Sequence, residues 1–203
     1  MANRLIFEGV NDRHVVRNLL IQYNLGYLFD YKDKQGFTNL CDTLGEELQA
    51  TDLQNLGIII DADEDCKRNW QKVLHIVADQ YPFIQAPVAP VGEGTIIDVA
   101  EDKRVGIWVM PDNRERGKVE DFVADLIPQG DVLWPRAKND VSEIPDDHRL
   151  FKPTYLPKAE IHTWLAWQEE PGTRMGEALT KKYLLHDCPA AIAFVNWARR
   201  LLS

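Results

Sequence analysis

The stretch LGIIIDADEDCKRNW, residues 56–70, decides the fold class. Its first part, LGIIID (56–61), is an unbroken apolar run of strand length with polar residues on both sides, the pattern of a strand buried on both faces. Soon after it, Trp70, Val73, Leu74 and Val77 recur at helical spacing. Between the two, Asp61, Asp63, Glu64 and Asp65 place four acidic side chains in five positions. Like charges this close raise one another's cost of ionising. Water, a helix end or a cation must absorb that cost.

Working outward, the same alternation repeats. RLIFEG (4–9) predicts a buried strand closing on Glu8 and a glycine. Asn11 or Asp12 then caps a helix carrying Val15, Val16, Leu19 and Leu20. GYLFDY (26–31) predicts a second strand, and Phe37, Leu40, Leu44 and Leu48 a second helix. Strand and helix alternating over the first eighty or so residues predict an α/β fold, with a mostly parallel sheet flanked by helices. Pro82, Pro87 and Pro90 make residues 81–92 a connection. TIIDVA (95–100) and VGIWVMP (105–111) read as a strand pair, and 118–127 as a helix with Val119, Phe122, Val123 and Leu126 on one face.

Beyond Gly130 the strand pattern fades. Trp134, Ala137, Val141 and Ile144 predict a helix, 145–157 a loop, and Ile161, Trp164, Leu165 and Trp167 a further helix. GTRMGEALTKKYLL (172–185) and PAAIAFVNWARRLL (189–202) predict two more. The expected division is an α/β core over 1–128 and a helical C-terminal extension over 129–203 packing on it. The apolar last helix is a candidate homodimer face.

Composition narrows the function classes. A chain of 203 residues, 45% hydrophobic and 27% charged, can bury a sizeable core. No apolar run reaches the ~20 residues of a membrane span, and MANRLIFEG has no basic segment before an apolar core, so no membrane contact or secretory signal is expected. Cys41, Cys66 and Cys188 are odd in number and scattered, which suits a reducing cytoplasm and excludes a CxxC zinc site. The net charge of −9 weighs against nucleic acid unless Lys and Arg are gathered in a patch. No GxxxxGK[ST] loop and no HxxH or HxH pair is present, so P-loop and histidine-rich metal chemistry are set aside.

In open α/β sheets, ligands bind beyond the carboxyl ends of the strands. Glu8 ends the first predicted strand and Asp61 the third, with Asp63 two residues on. If those strands are neighbours, three carboxylates meet at one edge, offering the hard oxygen donors that Mg²⁺ or Mn²⁺ prefers. Asp12, four residues after Glu8, faces the same point from the first helical turn. Glu120 and Asp121 open the helix that follows VGIWVMP. Plainer roles compete. Glu64, Asp65 and Asp121 suit a helix N-terminus, Asp12 suits an N-cap, Arg114 and Arg116 suit solvent, and Trp164 and Trp167 suit the core.

FEGVND followed by IIIDADED resembles the Toprim signature, a glutamate after one strand and Asp-x-Asp after another. GIWVMPDNRERGKVEDF and IHTWLAWQEEPGTRMGEAL extend the likeness to a stand-alone Toprim-like family of uncharacterised bacterial proteins, related to the nuclease domain of overcoming-lysogenization-defect proteins. The resemblance implies a Rossmann-like sheet and Mg²⁺- or Mn²⁺-dependent phosphodiester hydrolysis of DNA or RNA. It implies Glu8 as metal ligand or general base, Asp61 and Asp63 as the metal-holding pair, and Asp12 and Glu120 as further ligands. It also implies a catalytic lysine near the chain end, Lys182 or its neighbour Lys181, with Lys158 as a rival. One departure stands out: Lys118 occupies the place of a small hydroxyl residue two before the later glutamate. The alternative expectation is a catalytically inactive Toprim-like module that binds a protein partner or a nucleotide.

Overall fold

The structure, a computed structural model, describes residues 2–203. Five strands form one sheet: β1 (Ala2–Phe7), β2 (Asp30–Asp33), β3 (Leu53–Asp61), β4 (Thr95–Ala100) and β5 (Lys103–Met110). Their order is β2-β1-β3-β5-β4. All pairings are parallel except the β4–β5 hairpin at one edge. The chain crosses from β1 outward to β2, returns past β1 to β3, and then runs on to the opposite edge as β4 before turning back as β5 between β4 and β3. The crossovers therefore diverge between β1 and β3, the topological switch point where an open α/β sheet leaves a crevice.

Helices cover both faces, as strands buried on both sides require. On one face α2 (Phe37–Gln49) and α3 (Cys66–Gln80) bury Leu40, Leu44, Trp70 and Val73 against Ile58, Ile60 and Ile107. On the other, α1 (Val10–Gln22), α4 (Val119–Ala124), α6 (Leu156–Ala166), α7 (Met175–Thr180) and α8 (Pro189–Leu202) share a core with Leu5, Phe7, Ile59 and Trp108. A short helix, α5 (Leu133–Ser142), packs along α6.

The C-terminal helices thus supply part of the sheet's own hydrophobic cover. Helix α8 crosses β3 and β5 where Gly57 and Gly106 leave room: a Cβ on Gly57 would come within 3.1 Å of the Trp197 ring, and one on Gly106 within 2.9 Å. Ala191, Phe194, Val195, Trp197, Ala198 and Leu201 are buried in this core, while Ile192 of the same helix stays exposed. No helix among the described residues is long and apolar enough to cross a membrane.

Three local expectations change. The apolar GYLF segment is not a strand; Tyr27 and Leu28 are exposed, and β2 is the polar DYKD that follows. Edge strands face water, so apolar content is a poor guide to them. Helix α6 begins at Leu156, inside the stretch expected to be loop, because Pro157 sits in its first turn, where its missing N–H costs nothing. Trp167 ends α6 partly exposed, whereas Trp164 is fully buried with its indole nitrogen donating to Asp131 Oδ1 at 3.2 Å.

Candidate active site

Parallel pairing of β1 with β3 sets Phe7 beside Ile59, which brings Glu8 and Asp61 to the same mouth of the sheet. The Asp61 amide donates to Glu8 Oε1 at 2.9 Å. Asp61 Oδ1 in turn accepts from the Val119 amide at 3.0 Å, so it also caps the first turn of α4. Each carboxylate is thereby anchored through one oxygen.

The remaining acids arrive from helix starts. Neither Asn11 nor Asp12 caps α1, whose N-cap is Gly9; Asp12 lies in the first turn, buried, and its Oδ1 has no hydrogen-bond partner. Glu120 opens α4 and is also buried. Asp12, Asp61, Glu120, Lys118 and Lys158 line one cavity of about 270 Å³, together with Thr154, Tyr155 and Pro157.

Electrostatics show how closely these groups meet. Burial pushes the Glu8 carboxyl up to about 7, with Asp12 and Asp63 adding to the rise and the Asp61 amide opposing it. Burial likewise pushes Asp12 up to about 7, with Glu120 adding to it. Asp61 is raised well above the carboxylate range by burial, then by Asp12, Glu8 and Glu120. These are the signatures of desolvation plus like charge, the combination that concentrates at functional sites.

Asp63 is placed differently. It adopts a left-handed backbone, φ 51°, and bridges Gly117 through a pair of 2.9 Å backbone hydrogen bonds. Its Oδ1 meets Lys118 Nζ at 2.6 Å. Burial alone would lower the Lys118 ammonium, but the bond to Asp63 together with the charges of Asp63, Asp61 and Glu120 outweighs this and raises it. In this arrangement Lys118 supplies positive charge to the cluster, and no three His, Cys, Asp or Glu side chains among the described residues are placed to hold one metal ion.

Neighbouring acids take structural roles. Asp65 caps α3, accepting from the Arg68 amide at 2.9 Å. Glu64 does not cap; it faces Arg116 at 3.7 Å in solvent. Asp121 Oδ2 accepts from the Lys118 amide at 2.8 Å at the start of α4.

Lys182 does not join the cluster. Helix α7 runs beside α1 with Gly176 against the His14 backbone and Thr180 bonded to Asn18, so Lys182 follows beyond the Asn18 end, away from Asp12. Lys181 is also elsewhere, paired with Glu170 at 2.6 Å. The lysines at the site are Lys118 and Lys158. Lys118 was marked by its place two before Glu120; Thr154 and Tyr155 carry no local signal that separates them from an ordinary loop.

A family model described as "Protein of unknown function (DUF3226)" matches residues 2–203. No curated protein and no solved structure matches the chain.

Proposed function

The chain belongs to the DUF3226 family of proteins of unknown function, and we propose that it hydrolyses phosphodiester bonds in nucleic acid with Mg²⁺ or Mn²⁺ held by the carboxylate cluster. The observation that carries this reading is the link between Glu8 and Asp61 across the switch point, with buried Asp12 and Glu120 beside it. The donor set suits the proposed ion: all hard oxygen, with Asp12 Oδ1 buried and lacking any partner. The same pattern, a glutamate after one strand and Asp-x-Asp after its neighbour, is what the likeness to Toprim proteins leads one to expect.

When bound, a divalent cation neutralises phosphate charge and acidifies water. The chain's own residues do the rest. Asp61, held by the Val119 amide, and Glu8, held by the Asp61 amide, keep fixed positions as ligands. Glu8 is bonded through one oxygen only, which leaves the other to hold the ion or to take a proton from attacking water. Lys118 and Lys158 bring positive charge to the cavity wall, where charge develops on the transferring phosphoryl group. Asp63 would exchange Lys118 for the ion or keep it as an outer partner.

The test is cleavage of labelled DNA and RNA by wild type and Asp61→Ala in Mn²⁺ and in chelator. Metal-dependent cleavage absent from the variant supports the reading; equal cleavage by both removes it. A second reading, an inactive module that binds a partner, draws on one feature: the 2.6 Å Lys118–Asp63 pair supplies an internal cation. Binding of nucleic acid without cleavage, unaffected by metal, would favour it.

A further inference from the structure

We infer that a cavity between the start of α8, β5 and the segment preceding β4 is a binding site for a planar aromatic molecule bearing one carboxylate or phosphate, distinct from the carboxylate cluster. Its volume is about 950 Å³, at the upper end of the range for small-molecule sites. Trp108, Pro111, Ala190, Ile192 and Ala193 form its apolar wall. Ile192 is 42% exposed there, while the other large apolar residues of α8 turn inward.

Three features define the ligand's chemistry. Trp108 is 1% exposed and its indole N–H has no acceptor. By contrast, the buried indoles of Trp70, Trp164 and Trp197 donate to Thr95 Oγ1, Asp131 and the Thr95 carbonyl. Buried donors are rarely left without a partner; the Trp108 nitrogen is itself closed off from solvent, and it is the indole ring, as part of the cavity wall, that an aromatic ligand would meet.

Arg114, Arg199 and Arg200 also line the cavity. Six other arginines of this chain pair with carboxylates; among the described residues these three, like Arg17, Arg68 and Arg174, form no ion pair, but only these three gather at one cavity, in a chain of net charge −9. Arg200 is fixed by the Glu93 and Gly94 carbonyls, Arg199 lies over the Tyr23 ring at 5.4 Å, and the Arg114 guanidinium lies against Gly92. Two acids share the lining, Glu93 and Asp112. Asp112 Oδ1 is already engaged by the Arg114 and Glu115 amides. The third feature is the amino end of α8, a helix of 14 residues, whose Pro189 and Ala190 line the cavity. Free amides there favour an anion.

The test uses 8-anilinonaphthalene-1-sulfonate, an aromatic anion, against its uncharged counterpart N-phenyl-1-naphthylamine. We expect one anionic dye per chain, bound at least about tenfold more tightly than the neutral dye, and a loss of at least about tenfold in Arg114→Glu and in Ala193→Trp. Arg114 is exposed, so its variant stays informative if the Trp substitution impairs folding. In nitrogen-15 spectra the Trp108 indole N–H, assigned with Trp108→Phe, should shift on binding. Displacement by adenosine monophosphate or by naphthoate tells a phosphate source from a carboxylate source. Equal affinity for both dyes, indifference to Arg114→Glu, a shift confined to other indoles, or displacement by neither competitor would overturn the assignment. Cleavage activity plays no part in these readouts.

Discussion

The backbone N–H of Asp61 donates to Glu8 Oε1 at 2.9 Å, tying the ends of two strands that lie 53 residues apart in the chain. Because Asp61 Oδ1 simultaneously holds the Val119 amide, strand β1, strand β3 and helix α4 meet at one hydrogen-bonded corner. Charge is concentrated there at a cost to stability, the usual mark of a functional site rather than a structural one.

Asp61→Asn keeps the shape and an oxygen for the Val119 amide while removing the charge that Asp12, Glu8 and Glu120 oppose. Urea unfolding near pH 8 without metal should show a gain of about 1–3 kcal/mol. Mn²⁺-dependent cleavage should fall by at least about 100-fold. A loss of both stability and activity would mean that Asp61 acts only as the cap of α4.

The raised carboxyls make a signed pH prediction. Glu8 and Asp12 titrate near 7 in the folded chain, against ordinary values of 4.5 and 3.8. The folded state therefore holds protons that the unfolded state has released, and stability declines as pH rises from about 4 through about 7. For Glu8 alone the change is on the order of 3 kcal/mol. Thermal melts between about pH 5 and about pH 8 should show a falling midpoint in chelator, and Mg²⁺ or Mn²⁺ should recover it at the alkaline end only. A flat profile would show that the cluster is already neutralised by its own lysines.

Lys118→Met removes the internal cation of the cluster. Without metal it should destabilise the chain at neutral pH, since Asp63 loses its 2.6 Å partner. Calorimetric titration should then find Mn²⁺ bound several-fold more tightly if lysine and ion compete for the same acids. Unchanged or absent Mn²⁺ binding would favour the inactive-module reading.

Trp197→Ala tests whether α8 belongs to the sheet's core. Trp197 is fully buried, donates to the Thr95 carbonyl at 3.2 Å and fills the space over Gly57 and Gly106. Its truncation should cost about 3–5 kcal/mol by chemical denaturation. A cost below about 1 kcal/mol would make α8 a detachable appendage.

The layout of the sheet was largely legible in the sequence. LGIIID, RLIFEG and VGIWVM carry their burial in their composition, and the helical spacing of Leu40, Leu44 and Leu48 or of Trp70 and Val73 shows one face of α2 and of α3. The second strand lies four residues later than GYLFDY suggests, because DYKD sits on an edge and needs no apolar residues. The convergence of Glu8 with Asp61 was anticipated on one condition, that β1 and β3 be adjacent, and the strand order meets it.

Which lysine approaches the acids was beyond the reach of local pattern. Lys118 comes to them because β5 ends beside β3 and returns through Gly117 to α4; Lys158 comes because α6 packs on α4; Lys182 is carried away by the path of α7 along α1. The sequence by itself determined the kinds of element and the acidic character of the strand mouths, since periodicity and burial are written over a few neighbouring residues. Only the tertiary structure decided which charges share that mouth and which arginines gather at the second cavity. Those neighbours come from distant parts of the chain, and their proximity follows from strand order and helix packing, which no short stretch encodes.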